Sequence, residues 1–288
     1  MEDYLKSGEI CKKAREFGIS LLKEGTKFID IAEKVEDKII ELGGKPAFPV
    51  DVGINYLAAH DSPTFNDERI LHKGDVVKLD IGVHVNGAVT DTALTLEIGS
   101  HIYEKLIKSA EEALKRALEL VLPGVEICQI GKVINETIQS YGFTPIVNLS
   151  GHRVDKYEVH APPSIPNYDN GDRTLLKEGQ VFAIEPFATD GGGKVIEGKP
   201  AGIYEIVNVK NVRDSTTRKV LEFITENYKT LPFSERWLIK QFGYKVKLSL
   251  LLLERAGIIK QYNLLPEKDR GQVAQAERTV IIGKGVIN

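Results

Sequence analysis

The 288-residue chain has little cysteine, one methionine, one tryptophan and no strong charge of either sign. Cys11 and Cys128 stand alone, outside any Cys-x-x-Cys pair, so a disulfide framework and a cysteine zinc knuckle are both excluded. Both fall in helical patterns and read as buried free thiols in a reducing, cytoplasmic compartment. No run of 18 apolar residues occurs, so nothing in the sequence is expected to span a membrane. The opening stretch MEDYLKSGEICKKAREFG is charged and helical, without a signal-peptide core. A formal net charge of −3 argues against a general nucleic-acid binder. His-Glu-x-x-His is absent, which excludes a helical zinc-protease site, and no P-loop spacing occurs. The glycine run in TDGGGKVIEGKPAG reads as a plain turn. What remains is ordinary globular material, 42% hydrophobic and 27% charged, enough for one large domain with an insertion.

Within that material, LDIGVHVNGAVTDTA (residues 79–93) is unusual. Asn86-Gly87 is a strong signal for a type I′ hairpin turn, because both central residues need positive φ. Pairing then places Val85 opposite Ala88, Asp80 opposite Ala93 and Asp91 opposite Gly82. Side chains alternate faces along a strand, so Asp80 and Asp91 share a face as diagonal neighbours, roughly 7–8 Å apart. Two carboxylates among Val, Leu and Ile repel one another, and burial sharpens the repulsion. A positive charge is expected between them.

The chain also repeats itself. Thr26 is expected to cap a helix with apolar residues at Phe28, Ile31, Ala32, Val35, Ile39 and Leu42, ended by Gly43-Gly44. After Pro123-Gly124 the pattern returns at Ile127, Ile130, Ile134, Ile138 and Tyr141, ended by Gly142. A longer amphipathic helix precedes each copy, over roughly 3–24 and 101–122. KGDVVKLD (73–80) resembles EGQVFAIE (178–185), so Asp80 matches Glu185. DTALTLEIG (91–99) resembles ERTVIIGKG (277–285), so Asp91 matches Glu277. The acids lie 11 residues apart in the first copy and 92 apart in the second, so the second hairpin carries a large insertion. Helices are expected within it at about 214–229, 234–242 and 247–257. Residues 205–265 are read as an inserted helical subdomain, and 1–204 with 266–288 as the main domain. Two related halves would bring four acids together near a pseudo-twofold axis. Four buried carboxylates cannot all stay ionised without cations, and an oxygen-rich set suits divalent metal.

Of six histidines, His72, His84 and His101 carry no assigned role, with His101 expected to start a helix. His60 sits in the loop AAHDSP, and His152 and His160 in LSGHRVDKYEVHAPP. A nitrogen ligand beside carboxylates favours Mn, Fe, Co or Zn over Mg or Ca.

The order Asp80, Asp91, His152, Glu185, Glu277 resembles the five metal ligands of the methionine aminopeptidases. FPVDVGINYLAAHDSP, GHRVDKYEVHAPPSIP, VFAIEPFAT and AQAERTVI are similar to the type 2 branch, which carries a helical insertion between its last two acids. The resemblance covers essentially the whole chain, and the short N-terminus is similar to that of archaeal members. It implies the α+β pita-bread (creatinase/aminopeptidase) fold with a pseudo-twofold repeat and an inserted helical subdomain. It implies two divalent ions, from among Co, Mn, Fe, Zn and Ni. Asp80 would hold one through both oxygens, Asp91 and Glu277 would bridge the pair, and His152 and Glu185 would complete the other ion's shell. Water would attack the first peptide bond, Glu185 would carry the proton to the leaving amine, and His60 and His160 would face the substrate. Phe48, Val159, Phe187 and Tyr262 would form the methionine pocket. The implied function is removal of N-terminal methionine from nascent polypeptides with a small second residue, by a cytoplasmic monomer associating transiently with ribosomes. The alternatives are an Xaa-Pro aminopeptidase or prolidase on the same fold, and a relative that binds RNA or protein without catalysis. The prolidases carry an extra domain before the metal aspartates, for which there is little room before Asp80, and the non-catalytic relatives have lost the ligands.

Overall fold

The computed structural model describes residues 1–288. Helices α1 (Glu2–Leu21) and α2 (Phe28–Glu41) precede the hairpin of strands Val76–Val85 and Ala88–Glu97. Helices α3 (Glu104–Leu120) and α4 (Ile127–Ser140) precede strands Ser150–Asp155, Glu158–Pro166 and Val181–Ile184. Strand Glu277–Ile281 returns to pair with Ala88–Glu97 on one side and Val181–Ile184 on the other. The central order is thus 76–85, 88–97, 277–281, 181–184. A pseudo-twofold axis passes between its two middle strands and relates one half to the other.

Alternation explains the two faces. Leu79 and Ile81 pack with Phe28 and Ile31 of α2, while Phe182 and Ile184 pack with Ile130 and Ile134 of α4. Asp80, between Leu79 and Ile81, is left to the face away from the helices. The hairpin register places Asp80 opposite Ala93, Gly82 opposite Asp91 and Val85 opposite Ala88. Asn86 (φ 51) and Gly87 (φ 89) supply the left-handed pair that the tight turn requires.

The repeat extends to the helix starts. An antiparallel bridge Lys27↔Ile70 precedes α2, and Glu126↔Leu175 precedes α4. Thr26 therefore does not cap α2. The helix follows Lys27 without a side-chain cap, because Phe28 N–H already donates to the Arg69 carbonyl at 3.0 Å. Likewise His101 does not start α3. The helix begins at Glu104, and the Glu97 carboxylate takes the N–H groups of Ile102 and Tyr103 just before it.

Between the last two acids, α5 (Ser215–Asn227), α6 (Glu235–Phe242) and α7 (Val246–Arg255) pack on a small sheet of strands Pro200–Ile206, Phe233–Ser234 and Ile259–Asn263. Asp214 caps α5 through Thr217 N–H, and Ser234 caps α6 through Arg236 N–H. The unit has its own apolar core, including Tyr204, Val220, Ile224, Leu238, Leu250 and Ile258. A buried ion pair ties it to α2: the Arg236 guanidinium donates to both Glu36 oxygens at 2.9 and 2.7 Å. The glycine run packs around buried Glu267, whose carboxylate accepts N–H bonds from Gly193, Asp269 and Gly271.

Candidate metal centre

The five expected ligands arrive from both halves. Asp80 and Asp91 come from the first hairpin, His152 from strand Ser150–Asp155, Glu185 from the residue after Val181–Ile184, and Glu277 from the returning strand. Ligand-type atoms of Asp91, His152 and Glu277 lie within 4.8 Å of one another, and so do those of Asp80, Glu185 and Glu277. Glu277 belongs to both groups. His152 Nε2 stands 3.8 Å from Asp91 Oδ2.

Burial and mutual repulsion dominate the electrostatics of this cluster. Burial pushes the Asp80 carboxyl up to about 6. Burial, then repulsion from the other acids, raises Asp91, Glu185 and Glu277 far above the carboxylate range. Burial pushes His152 down to about 4, which keeps it a neutral nitrogen ligand. Asp80 Oδ1, Asp91 Oδ1, both Glu277 oxygens and His152 Nδ1 are buried without any hydrogen-bond partner. Each unmet atom of this kind costs about 1–3 kcal/mol. A set of acceptors with no protein donor fits divalent metal, and the mix of carboxylate and imidazole fits the borderline ions.

The backbone behind the acids is clamped by hydroxyls. Thr279 Oγ1 accepts from Asp91 N–H at 2.7 Å and donates to the Asp91 carbonyl at 2.8 Å. Gln275 Nε2 donates to Asp80 Oδ2 and Glu185 Oε1. Neither Thr279 nor Gln275 was anticipated. The signal for Gln275 was its position two residues before Glu277, which brings it back to the same side of the chain.

In front of the acids lies a cavity of about 310 Å³, whose walls include Phe48, His60, Val159, His160, Phe187 and Tyr262. Glu277 is seated deeper and does not line it. Gly82 makes room for Phe48, since a Cβ there would run into the Phe48 ring. His60 holds a left-handed backbone (φ 65), its N–H bound to Asp51 Oδ2 at 2.8 Å and its Nδ1 at 3.0 Å from the Asn263 carbonyl. Tyr262 packs edge-on to His60 with ring centroids 5.0 Å apart, and its hydroxyl donates to Glu205 at 2.6 Å. His160 packs edge-on to His152 at 4.6 Å. Burial and the neighbouring His152 hold His160 well below the usual histidine range, and burial lowers His60. Asp51, a further unanticipated acid, shares the cavity wall and is 7% exposed, with Oδ1 unpartnered. His84 stays outside the cavity, accepting from Gly87 N–H beside Tyr157.

A buried acid-and-histidine centre at the axis of a duplicated α+β frame defines a metallohydrolase of the pita-bread class. The family model for metallopeptidase family M24 matches residues 2–222. The methionine aminopeptidase of Thermococcus onnurineus is 49% identical over 288 residues, covering 98% of this chain and 96% of its own. Among solved structures, the methionine aminopeptidase of Thermotoga maritima superposes with a TM-score of 0.71 at 23% identity, over 99% of this chain and 95% of that one. A thermophilic Arx1 superposes with a TM-score of 0.86 at 18% identity, over 97% and 87%; at these identities the likenesses concern the fold. The chain belongs to metallopeptidase family M24 and, within it, to the methionine aminopeptidases.

Proposed function

We propose that the protein is a methionyl aminopeptidase that removes N-terminal methionine when the second residue is small. Two divalent ions would be held by Asp80, Asp91, His152, Glu185 and Glu277, with Asp91 and Glu277 shared between them. The observation that carries this reading is the pair of three-residue groups overlapping at Glu277, with buried oxygens that nothing else in the protein satisfies. When bound, the ions supply Lewis acidity, activating water at neutral pH and offsetting charge on the carbonyl oxygen.

The chain's own groups do the rest. Glu185, at the cavity wall, takes the proton from the attacking water and delivers it to the leaving amine. His60 and His160 stay neutral at pH 7, so each offers a ring N–H or a lone pair to the substrate without adding charge beside the centre. One faces the N-terminal residue and its amine, the other the scissile carbonyl. Phe48, Val159, Phe187 and Tyr262 supply apolar and aromatic surface for an unbranched thioether. Residues 1–204 and 266–288 make up the catalytic frame and 205–265 the inserted subdomain, with strand Pro200–Ile206 running across the first boundary into the subdomain's sheet, and the subdomain's C-terminal edge brings Tyr262 to the cleft. The reading carries with it a cytoplasmic monomer that meets nascent chains at the ribosome. No helix is long and apolar enough to cross a membrane.

The test is a panel of Met-X-Ser peptides assayed with each candidate ion, beside an Ala-Pro peptide. Met release restricted to small X supports the reading. Preferential cleavage of Ala-Pro would replace it with a prolidase-type activity.

A further inference from the structure

Asp80 and Glu185 belong to different halves of the molecule. Two strands, Ala88–Glu97 and Glu277–Ile281, lie between the strand of Asp80 and the strand that ends just before Glu185, so no backbone hydrogen bond joins the two directly. A single side chain hydrogen-bonds to both. Gln275 Nε2 donates to Asp80 Oδ2 at 3.0 Å and to Glu185 Oε1 at 2.7 Å. Gln275 is 1% exposed, and its backbone is fixed: Thr95 Oγ1 accepts from its N–H at 2.8 Å and donates to its carbonyl at 2.7 Å.

We propose that Gln275 is a positioning residue that ties Asp80 to Glu185 and presets the spacing of ligands from the two halves. The inference rests on the reading of these acids as ion ligands. A carboxamide nitrogen carries two N–H donors and no charge. Its two hydrogens diverge, so one group can engage two carboxylates while holding them apart. It engages Asp80 Oδ2 and leaves Asp80 Oδ1 with no protein donor. An acid at this position would add a fifth negative group to the cluster. An apolar residue would leave two more buried oxygens unmet. Partners that orient metal ligands in this way typically account for about 10–100-fold in metal affinity.

The test compares wild type with Gln275→Met, which keeps length and fits a buried site but has no donor. Each chelator-treated protein is titrated with manganese(II) alone by calorimetry, unfolded in urea, and assayed on Met-Ala-Ser at saturating manganese. The expected result for Gln275→Met is an affinity about 10–100-fold weaker, a larger loss than that in kcat once the ion saturates. A purely structural role would instead lower the urea midpoint and leave the affinity of the folded protein unchanged; that outcome overturns the proposal. So does a large loss of kcat at saturation with unchanged affinity, which would put Gln275 in the chemistry. Should Gln275→Met not fold, hydrogen exchange of the wild-type Gln275 side-chain amide decides. Slow exchange in the chelated protein is expected, and exchange at the rate of a free amide refutes the tie. If wild type itself takes up no manganese, the ion-centre reading fails rather than this inference alone.

Discussion

Arg236→Met should separate the inserted subdomain from the catalytic frame and weaken substrate binding. Arg236 is 1% exposed and Glu36 6%. Their two hydrogen bonds, at 2.9 and 2.7 Å, are joined by Trp237 Nε1 donating to Glu36 Oε2 and by Arg236 Nε donating to the Pro63 carbonyl at 3.1 Å. Removing one partner strands a buried carboxylate, which costs about 3–5 kcal/mol. For a chain of this size that corresponds to a fall in Tm of about 10 °C. Most of the cost belongs to the unpaired charge rather than to lost contacts. Adding Glu36→Gln to Arg236→Met should therefore restore about 1 kcal/mol, since the charge is gone and the carboxamide oxygen still accepts from Trp237, while the long bond from Val50 N–H at 3.3 Å is given up. The inserted unit carries Tyr262 at the cavity wall, so KM for a Met peptide should rise more than kcat falls. Urea unfolding of the two single variants and the double variant, with kinetics on each, measures both effects. A loss below about 1 kcal/mol for Arg236→Met, or simple additivity in the double variant, would refute the reasoning.

Four other outcomes are expected. Asp91→Asn or Glu277→Ala should abolish peptidase activity, because Glu277 belongs to both ligand groups and Asp91 is proposed to be shared by the two ions as well; wild-type turnover at saturating metal would reject the shared role. His60→Ala and His160→Ala should keep ion affinity while losing kcat, as calorimetry beside kinetics would report; lost ion binding would make either one a ligand. Tyr262→Ala should raise KM for Met peptides and loosen selectivity, with norleucine already accepted because exchanging sulfur for methylene changes binding by only about 1–3 kcal/mol; unchanged specificity constants for Met, norleucine and Val peptides would remove Tyr262 from the pocket. In chelator, the protein should melt higher near pH 5.5 than near pH 8. The folded-state pKa of Asp80 is raised to about 6, so its contribution is present at low pH and lost as pH rises through about 6. Asp91, Glu185 and Glu277 shift the same way. His84 and His152, each lowered to about 4, and His60 and His160, also lowered, act oppositely, but their contribution is lost only as pH falls below about 6.5, whereas Asp91, Glu185, Glu277 and the likewise raised Asp51 lose theirs across the whole window up to pH 8. A lower Tm on the acid side would contradict this balance.

The hairpin and the repeat were legible because strand parity and the Asn-Gly turn are local. The register from Val76 to Glu97 follows from them, and matching Asp80 with Glu185 and Asp91 with Glu277 locates the axis. Helix starts were less legible. Thr26 has the side chain of a cap, but the backbone bridge to Ile70 satisfies the helix end in its place, and a bridge across 43 residues leaves no local mark. Gln275 and Asp51 were missed for a related reason. A glutamine in a strand reads as solvated until the fold sets two carboxylates against it, and nothing local marks Asp51 as buried. The turn around Glu267 was legible as a turn but not as a cradle, because the carboxylate that fills it lies some 75 residues away.

Manganese stoichiometry measured against methionine release from Met-Ala-Ser tests the central claim most directly. The chelated protein is titrated with manganese, and bound ion and rate are read on the same samples. Activity that is absent in chelator, appears as ion binds at the Asp80–Glu277 centre and disappears in Asp91→Asn is the predicted result. Undiminished methionine release in chelator, with no ion bound, would contradict it.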